Sequence, residues 1–154
     1  MKIIRTLLAV VMFSTSFFAW ADDVLRTFAP SPGIMAVVRI EGQNLFWSLS
    51  GKSGVKQGEI FIDSEKPLSI KIGNYDFSGR LGFWVSHADD GMGTYEVDRV
   101  FTSSPSSNEF VERFPSCGDE FANLRMGEKR RYLVSTYWSR NVPKRCITRL
   151  SVER

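Results

Sequence analysis

Residues 34–49 read IMAVVRIEGQNLFWSL and contain the clearest signal for the fold. Two short runs, 34–40 and 45–49, are rich in β-favouring residues and follow a period of two. Between them stands Glu41-Gly42-Gln43-Asn44, a set of turn residues with glycine. This spacing predicts a β-hairpin with strands on both sides of a short turn.

The same pattern recurs along most of the chain. Further strands are predicted over residues 59–63, 68–72, 81–86, 95–101, 110–114, 131–138 and 144–152. Pro67 fits a turn, and the Ser-rich segment 102–108 is interpreted as a surface loop. One short helix is predicted over 119–126, with Asp119 as its cap. The expected fold is therefore all-β and mainly antiparallel, a sandwich or strongly curved sheet of about nine strands in one domain.

The composition excludes two broad classes of protein. Among 154 residues, 20 Lys and Arg nearly balance 17 Asp and Glu, and 43% are apolar. Such a chain is neither a strongly basic nucleic-acid binder nor a disordered segment.

The N-terminus has the pattern of an export signal. Lys2 and Arg5 precede an apolar run over 7–18, and Ala19-Trp20-Ala21 places small residues at the −3 and −1 positions of a cleavage site. The run is shorter than the ~20 residues of a membrane-spanning helix, so no stable membrane anchor is expected after cleavage. We predict a signal peptide over 1–21 and a β-rich domain over 22–154 in the periplasm, with secretion as the second choice.

Export also bears on the cysteines. Cys117 and Cys146 are the only two in the chain, and an oxidising compartment favours a disulfide between them. A metal-binding or catalytic role is the weaker interpretation, because there is one His and no Cys-x-x-Cys spacing.

Charge is distributed unevenly along the predicted mature chain. Residues 22–112 carry a net charge of −5, and residues 113–154 carry +6. Because antiparallel strands interleave in space, this asymmetry can be lost on the surface. The functional alternative is a basic C-terminal hairpin that attracts an acidic protein or a cell-wall partner. Its cations are Lys129, Arg130, Arg131, Arg140, Lys144, Arg145 and Arg149.

Two motifs carry residues capable of chemistry. His87, with Asp89 and Asp90, is the only combination of His and acids, but no Gly-x-Ser-x-Gly elbow accompanies it. We interpret His87 as a strand-end residue beside a polar turn, with a hydrolytic enzyme as a minor alternative.

The second motif resembles the first half of a calcium loop. Asn74, Asp76 and Ser78 alternate before Gly79, and the carbonyl of Arg80 would follow them into the same centre. Only Asp76 is charged, so either a metal-free turn or a degenerate calcium site is expected. Asp89 or Asp90 would complete the site only if their turn folded against this loop.

These motifs, taken together, resemble those of a family of small exported proteins. The resemblance covers about residues 70–152 and is carried by IGNYDFSG (72–79), FWV (83–85), GMGTYEV (91–97) and LVSTY (133–137). Members of this family are periplasmic inhibitors of lysozyme-type glycoside hydrolases, and some are immunity proteins against peptidoglycan-cleaving toxins. The resemblance implies a β-rich fold, with a calcium site in the 74–79 loop.

The resemblance also implies a protein partner with a catalytic cleft to be blocked. Ser50-Gly51-Lys52 and Ser78-Gly79-Arg80 each place a cation beside a Ser-Gly pair, as in loops that other periplasmic lysozyme inhibitors insert into their targets. We therefore expect a non-enzymatic inhibitor of a lysozyme-like hydrolase that acts through either loop. The alternative is a non-catalytic envelope or adhesion module.

Overall fold

Eleven strands form most of the described protein. A computed structural model describes residues 24–127, 129 and 131–151. The strands are β1 (Val24–Ser31), β2 (Ile34–Glu41), β3 (Asn44–Gly51), β4 (Gly54–Phe61), β5 (Ser69–Gly73), β6 (Gly82–Ala88), β7 (Glu96–Ser104), β8 (Glu109–Arg113), β9 (Phe121–Gly127), β10 (Tyr132–Ser139) and β11 (Val142–Thr148). All pairings are antiparallel, which confirms the predicted all-β class. The predicted signal peptide lies outside the described residues.

The first sheet is a four-stranded meander in the order β1-β2-β3-β4. Along β2, Ala36, Val38 and Ile40 are buried, whereas the residues between them are exposed. This alternation arises because successive side chains of a strand point to opposite faces. The predicted hairpin is confirmed as β2 and β3, and Gly42 has the positive φ of +61° that its two-residue turn requires.

The second sheet is longer and curled. Its order is β11-β10-β9-β7-β6-β5, and β8 also pairs with β7. The beginning of β7 pairs with β9 through Val97 and Asp98, whereas Val100–Ser104 pairs with β8. One strand therefore serves two neighbours, and the sheet changes direction there.

The curl produces two hydrophobic cores on opposite faces of β6. Phe83 and Val85 pack between the two sheets, and Phe83 stacks on Phe101 with ring centroids 4.8 Å apart. Trp84 points to the other face, where it stacks on Tyr75 at 5.1 Å within the curl of the second sheet. β6 consequently has no solvent-facing side.

Two segments differ from the sequence prediction. The helix predicted over 119–126 is wrong, because Phe121–Gly127 is strand β9. Asn123 has a φ of +51° and lies where the pairing of β9 with β10 shifts register. This irregularity interrupts the alternation of apolar residues along β9, so their spacing resembles that of a helix. The surface loop predicted over 102–108 is also wrong in its first half, since Thr102, Ser103 and Ser104 are buried in β7.

Two strands lie where no strand was predicted, over most of β1 and over the first half of β4. Their sequences, VLRTFAPS and GVKQGEIF, place polar residues and glycine within the runs. Both are edge strands of the first sheet. An edge strand packs against fewer neighbours, so its composition constrains the fold less.

The predicted disulfide is present. Cys117 and Cys146 are bonded, with Cα atoms 5.9 Å apart, and the bond attaches the segment before β9 to the outermost strand β11. Nearby, the Ser116 amide donates a hydrogen bond of 2.9 Å to the Thr148 hydroxyl. Among the described residues, we find no helix with the length and apolar character needed to traverse a membrane.

Candidate functional site

One end of the molecule collects four turns from different parts of the chain. In the first sheet, the pairs Ser31–Ile34 and Gly51–Gly54 place turns 32–33 and 52–53 side by side. The Leu81 amide donates to the Pro30 carbonyl at 3.0 Å, which attaches segment 74–81 to the same edge. Turn 105–108 joins them, because Lys56 Nζ donates to the Ser107 carbonyl. We call this set the loop end.

The structure brings both predicted inhibitory loops to the loop end. Ser50 and Gly51 finish β3, and Lys52 occupies the tight turn before β4. Ser78, Gly79 and Arg80 lie in segment 74–81 beside it. No local signal in the sequence predicts this proximity, since it depends on the single hydrogen bond between Leu81 and Pro30.

The Lys52 turn is exposed and its cation has no acidic partner. Lys52, Ser53 and Gly54 are all exposed. Lys52 takes part in none of the ion pairs formed among the described residues. Gly54 has a φ of +113°, a conformation that favours glycine and keeps the turn tight. The turn therefore presents an ammonium group on a narrow, small-residue tip.

Segment 74–81 is closed by its own hydrogen bonds. The buried Asp76 carboxylate accepts from the Ser78 amide at 3.0 Å and from the Ser78 hydroxyl at 2.6 Å. Its other oxygen lies 3.6 Å from the Arg80 guanidinium, which also donates to the Ser103 carbonyl at 3.3 Å. Arg80 thus neutralises the only acid of the loop.

This donor set fits calcium poorly. Asp76 is already engaged by Ser78 and Arg80, and the described residues contain no cluster of three or more His, Cys, Asp or Glu. Asn74 Oδ1 is buried without a hydrogen-bond partner, so this oxygen of the predicted ligands is not used by the described protein. A cation would have to displace the Arg80 guanidinium from Asp76.

Asp89 and Asp90 do not complete that loop. They follow β6, whereas segment 74–81 precedes it, and seven strand residues at ~3.3 Å each separate the two by about 20 Å. The suggestion that their turn folds against the calcium-like loop is therefore wrong. Asp89 instead accepts hydrogen bonds from Gly91 and Thr94 within its own turn.

The opposite end of the molecule, which we call the histidine end, is held together by buried polar contacts. The side-chain amide of Gln43, in the β2–β3 turn, donates a hydrogen bond of 2.7 Å to the Ser64 carbonyl. The Ser64 hydroxyl lies 3.0 Å from His87 Nδ1 and 3.2 Å from Asp90 Oδ1. Asp90 Oδ1 also accepts from the Glu65 amide at 3.0 Å. These contacts fasten segment 62–68 to the end of β6.

This Ser, His and Asp arrangement differs from a nucleophilic triad. In a triad the imidazole stands between the serine and the acid. Here Ser64 stands between His87 and Asp90, and His87 Nδ1 lies 2.8 Å from the Ala88 carbonyl, which can only accept a hydrogen bond. A proton on Nδ1 satisfies that carbonyl and prevents the same nitrogen from acting as a base toward Ser64.

A cleft of about 450 Å³ opens beside the histidine end. Arg99 donates two hydrogen bonds of 2.7 and 2.8 Å to Glu112 within it. Asp98 accepts from Ser86 and from the Leu124 amide, and burial raises the pKa of this carboxyl above its ordinary value. These three charged groups are therefore engaged by the protein itself, unlike Lys52.

Comparisons of this chain with protein-family models, with curated proteins and with solved structures found no match.

Proposed function

We propose that this protein inhibits a lysozyme-like peptidoglycan hydrolase by inserting its loop end into the catalytic cleft. The observation that supports this function is the convergence of the two Ser-Gly-cation segments, 50–52 and 78–80, at one end of the molecule. Lys52 is the exposed cation of this end, and the hydroxyl groups and glycines of both segments lie at the same end of the molecule.

The chemistry of the target explains why such a tip is suitable. Glycoside hydrolases of this type flank the scissile bond with two carboxyl groups, one of which acts as a general acid. An ammonium group on a narrow turn fits between carboxylates, and the charge attraction grows where water is excluded. Lys52 has this form, while Arg80 is held by Asp76 and supports the adjacent backbone.

The disulfide is compatible with the proposed location in the periplasm. Disulfides persist in oxidising compartments, which include the periplasm and the extracellular space. A hydrolase that cleaves peptidoglycan acts in the same space, so inhibitor and target would meet there. An immunity role against such a toxin is part of this proposal.

A lysis assay tests the proposed function. Purified protein comprising residues 22–154 is added to peptidoglycan together with lysozyme-type hydrolases, including any hydrolase encoded beside it. We expect suppressed turbidity loss with at least one enzyme. An unchanged rate with every member of the panel, including the neighbouring hydrolase, would contradict inhibition.

The same assay addresses catalysis by this protein. Peptidoglycan incubated with the protein alone is analysed for released muropeptides, with His87→Ala as the matched variant. We expect no release from either protein. Release by the wild type that disappears in His87→Ala would instead support a hydrolytic enzyme at the histidine end.

A second candidate function is a non-catalytic envelope or adhesion module that uses segment 74–81 as a calcium loop. The buried, unpartnered Asn74 Oδ1 is the observation that favours it. Thermal denaturation with calcium and with EDTA distinguishes the two functions. We expect the same melting temperature with calcium and with EDTA, because Arg80 already compensates the charge of Asp76. A melting temperature that rises with calcium, and that no longer rises in Asp76→Asn, would favour the envelope or adhesion module.

A further inference from the structure

The three strands that follow Cys117 are neighbours in the second sheet. Strands β9, β10 and β11 are consecutive in the chain and also adjacent in the second sheet, at one end of its order. Within the described sheet, no strand from another part of the chain lies between these three strands, so their charges are not separated by other strands. The described basic residues of these strands therefore lie in one part of the sheet.

A groove of about 760 Å³ lies on these three strands. Its cations are Arg125, Lys144 and Arg145, and its apolar and aromatic walls include Tyr132, Val134 and Pro143. None of the described residues that line the groove is Asp or Glu. We call this surface the cationic groove.

The strand register places the two arginines on one face. Arg125 pairs with Val134 across β9 and β10, and Arg145 pairs with Thr136 across β10 and β11. Because residues 134 and 136 are two apart, their side chains point to the same face of the sheet. The guanidiniums therefore flank β10, and Arg145 lies 3.4 Å from the Tyr132 hydroxyl.

Within the described residues, no acid forms an ion pair with these cations. The four ion pairs among the described residues involve Arg39, Lys71, Arg80 and Arg99, all on other elements. A planar guanidinium presents a fork of donors that matches a carboxylate. Two such forks beside the half-buried Tyr132 ring are complementary to an acidic ligand.

We propose that the cationic groove docks an acidic polypeptide segment of a partner protein. Arg and Tyr are the residues enriched where proteins bind one another, and both flank the groove. Pro143 removes one backbone donor from the edge strand β11, so the segment binds through carboxylates on side chains and not by adding a strand. None of the residues that line the groove belongs to the loop end, and docking there does not depend on hydrolase inhibition.

Fluorescence anisotropy with a labelled copolymer rich in Glu and containing Tyr tests this docking. The protein is the full domain, residues 22–154, and the matched polyanion is inorganic polyphosphate with the same label. We expect saturable binding of the copolymer that weakens as salt rises, because salt screens exposed charges. Arg125→Glu/Arg145→Glu should weaken it by at least about tenfold.

Two controls keep the result interpretable. Arg26→Glu/Lys66→Glu makes the same change in net charge away from the groove and should bind like the wild type. Arg125→Gln/Arg145→Gln removes the charges without introducing acids and should also lose affinity. A circular-dichroism melt of this variant tests whether it is folded.

Three results would overturn the proposal. One is the absence of saturable copolymer binding, and another is equal affinity for the groove variant and for Arg26→Glu/Lys66→Glu. The third is tighter binding of polyphosphate than of the copolymer, which would assign the groove to a phosphate polymer and not to a polypeptide.

Discussion

The two ends of this molecule carry similar residues in opposite states. Both contain serines, acids and a basic group near strand ends. At the histidine end, Ser64 and His87 are buried, and the Ser64 hydroxyl contacts both His87 and the exposed Asp90. At the loop end, Lys52 extends into solvent on a turn that is fixed only at its base. The difference shows that the same residue types can hold segments of the protein together or remain exposed at a turn.

We expect the largest effect of a substitution on stability at the base of the loop end. A Cβ on Gly82, where β6 leaves segment 74–81, would lie 2.2 Å from the Phe101 carbonyl oxygen. Gly82→Ala should therefore lower the free energy of unfolding by about 3 kcal/mol, as backbone must move to relieve the overlap. Chemical denaturation measures this effect.

Gly51→Ala is the matched control for Gly82→Ala at the same end. The nearest atoms to its added Cβ would be 3.5 and 3.6 Å away, which is ordinary contact. Its change should stay within about 0.5 kcal/mol. Equal destabilisation by the two substitutions would show that the base of the loop end is not specially constrained.

The next largest effect on stability is expected at the Ser64 hydroxyl, which is buried at the histidine end. Ser64→Ala removes the group that contacts His87 and Asp90 and that accepts from the Lys66 amide at 3.0 Å. Because buried partners are left unsatisfied, the loss should be about 2 kcal/mol in urea denaturation. Ser53→Ala in the exposed loop-end turn is the control, with an expected change below about 0.5 kcal/mol. A larger loss of stability for Ser53→Ala than for Ser64→Ala would contradict this difference between the two ends.

A smaller effect concerns acid stability at the histidine end. Hydrogen bonds from the Gly91 amide, followed by those from Thr94 and Gly93, lower the pKa of Asp89 below 3.8. An acid with a lowered folded pKa stabilises the protein above its unfolded pKa, and this contribution disappears as pH falls through the folded value. Melting temperatures of the wild type and Asp89→Asn should therefore differ slightly at neutral pH and converge well below pH 3.8. A difference in melting temperature that grows as the pH falls would contradict a lowered pKa for Asp89.

Local patterns predicted the strands best where apolar residues alternate regularly between a buried and a solvated face. The β2–β3 hairpin, with Ala36, Val38 and Ile40 inside, is the clearest example. The pattern failed at β9, where the positive φ of Asn123 shifts the register, and at the edge strand β4, which is largely exposed.

The candidate site was predictable only in its parts. The Ser-Gly-cation segments could be identified from the sequence, but their proximity comes from the long-range contact between Leu81 and Pro30. The Arg80–Asp76 pair could not be inferred from ligand spacing, because a calcium-like pattern does not exclude an internal cation. The contacts of Ser64 with His87 and Asp90 join residues more than 20 positions apart, and no local signal indicates them.

The most direct test of the loop end as an inhibitor compares two single charge reversals against a hydrolase that the wild type inhibits. Lys52→Glu reverses the exposed charge at the loop end, and Lys66→Glu reverses an exposed charge near the histidine end. The inhibition constant should rise about a hundredfold for Lys52→Glu, because an acid would then face the catalytic carboxylates, and should be unchanged for Lys66→Glu. Undiminished inhibition by a folded Lys52→Glu protein would contradict the proposal that the loop end enters the cleft.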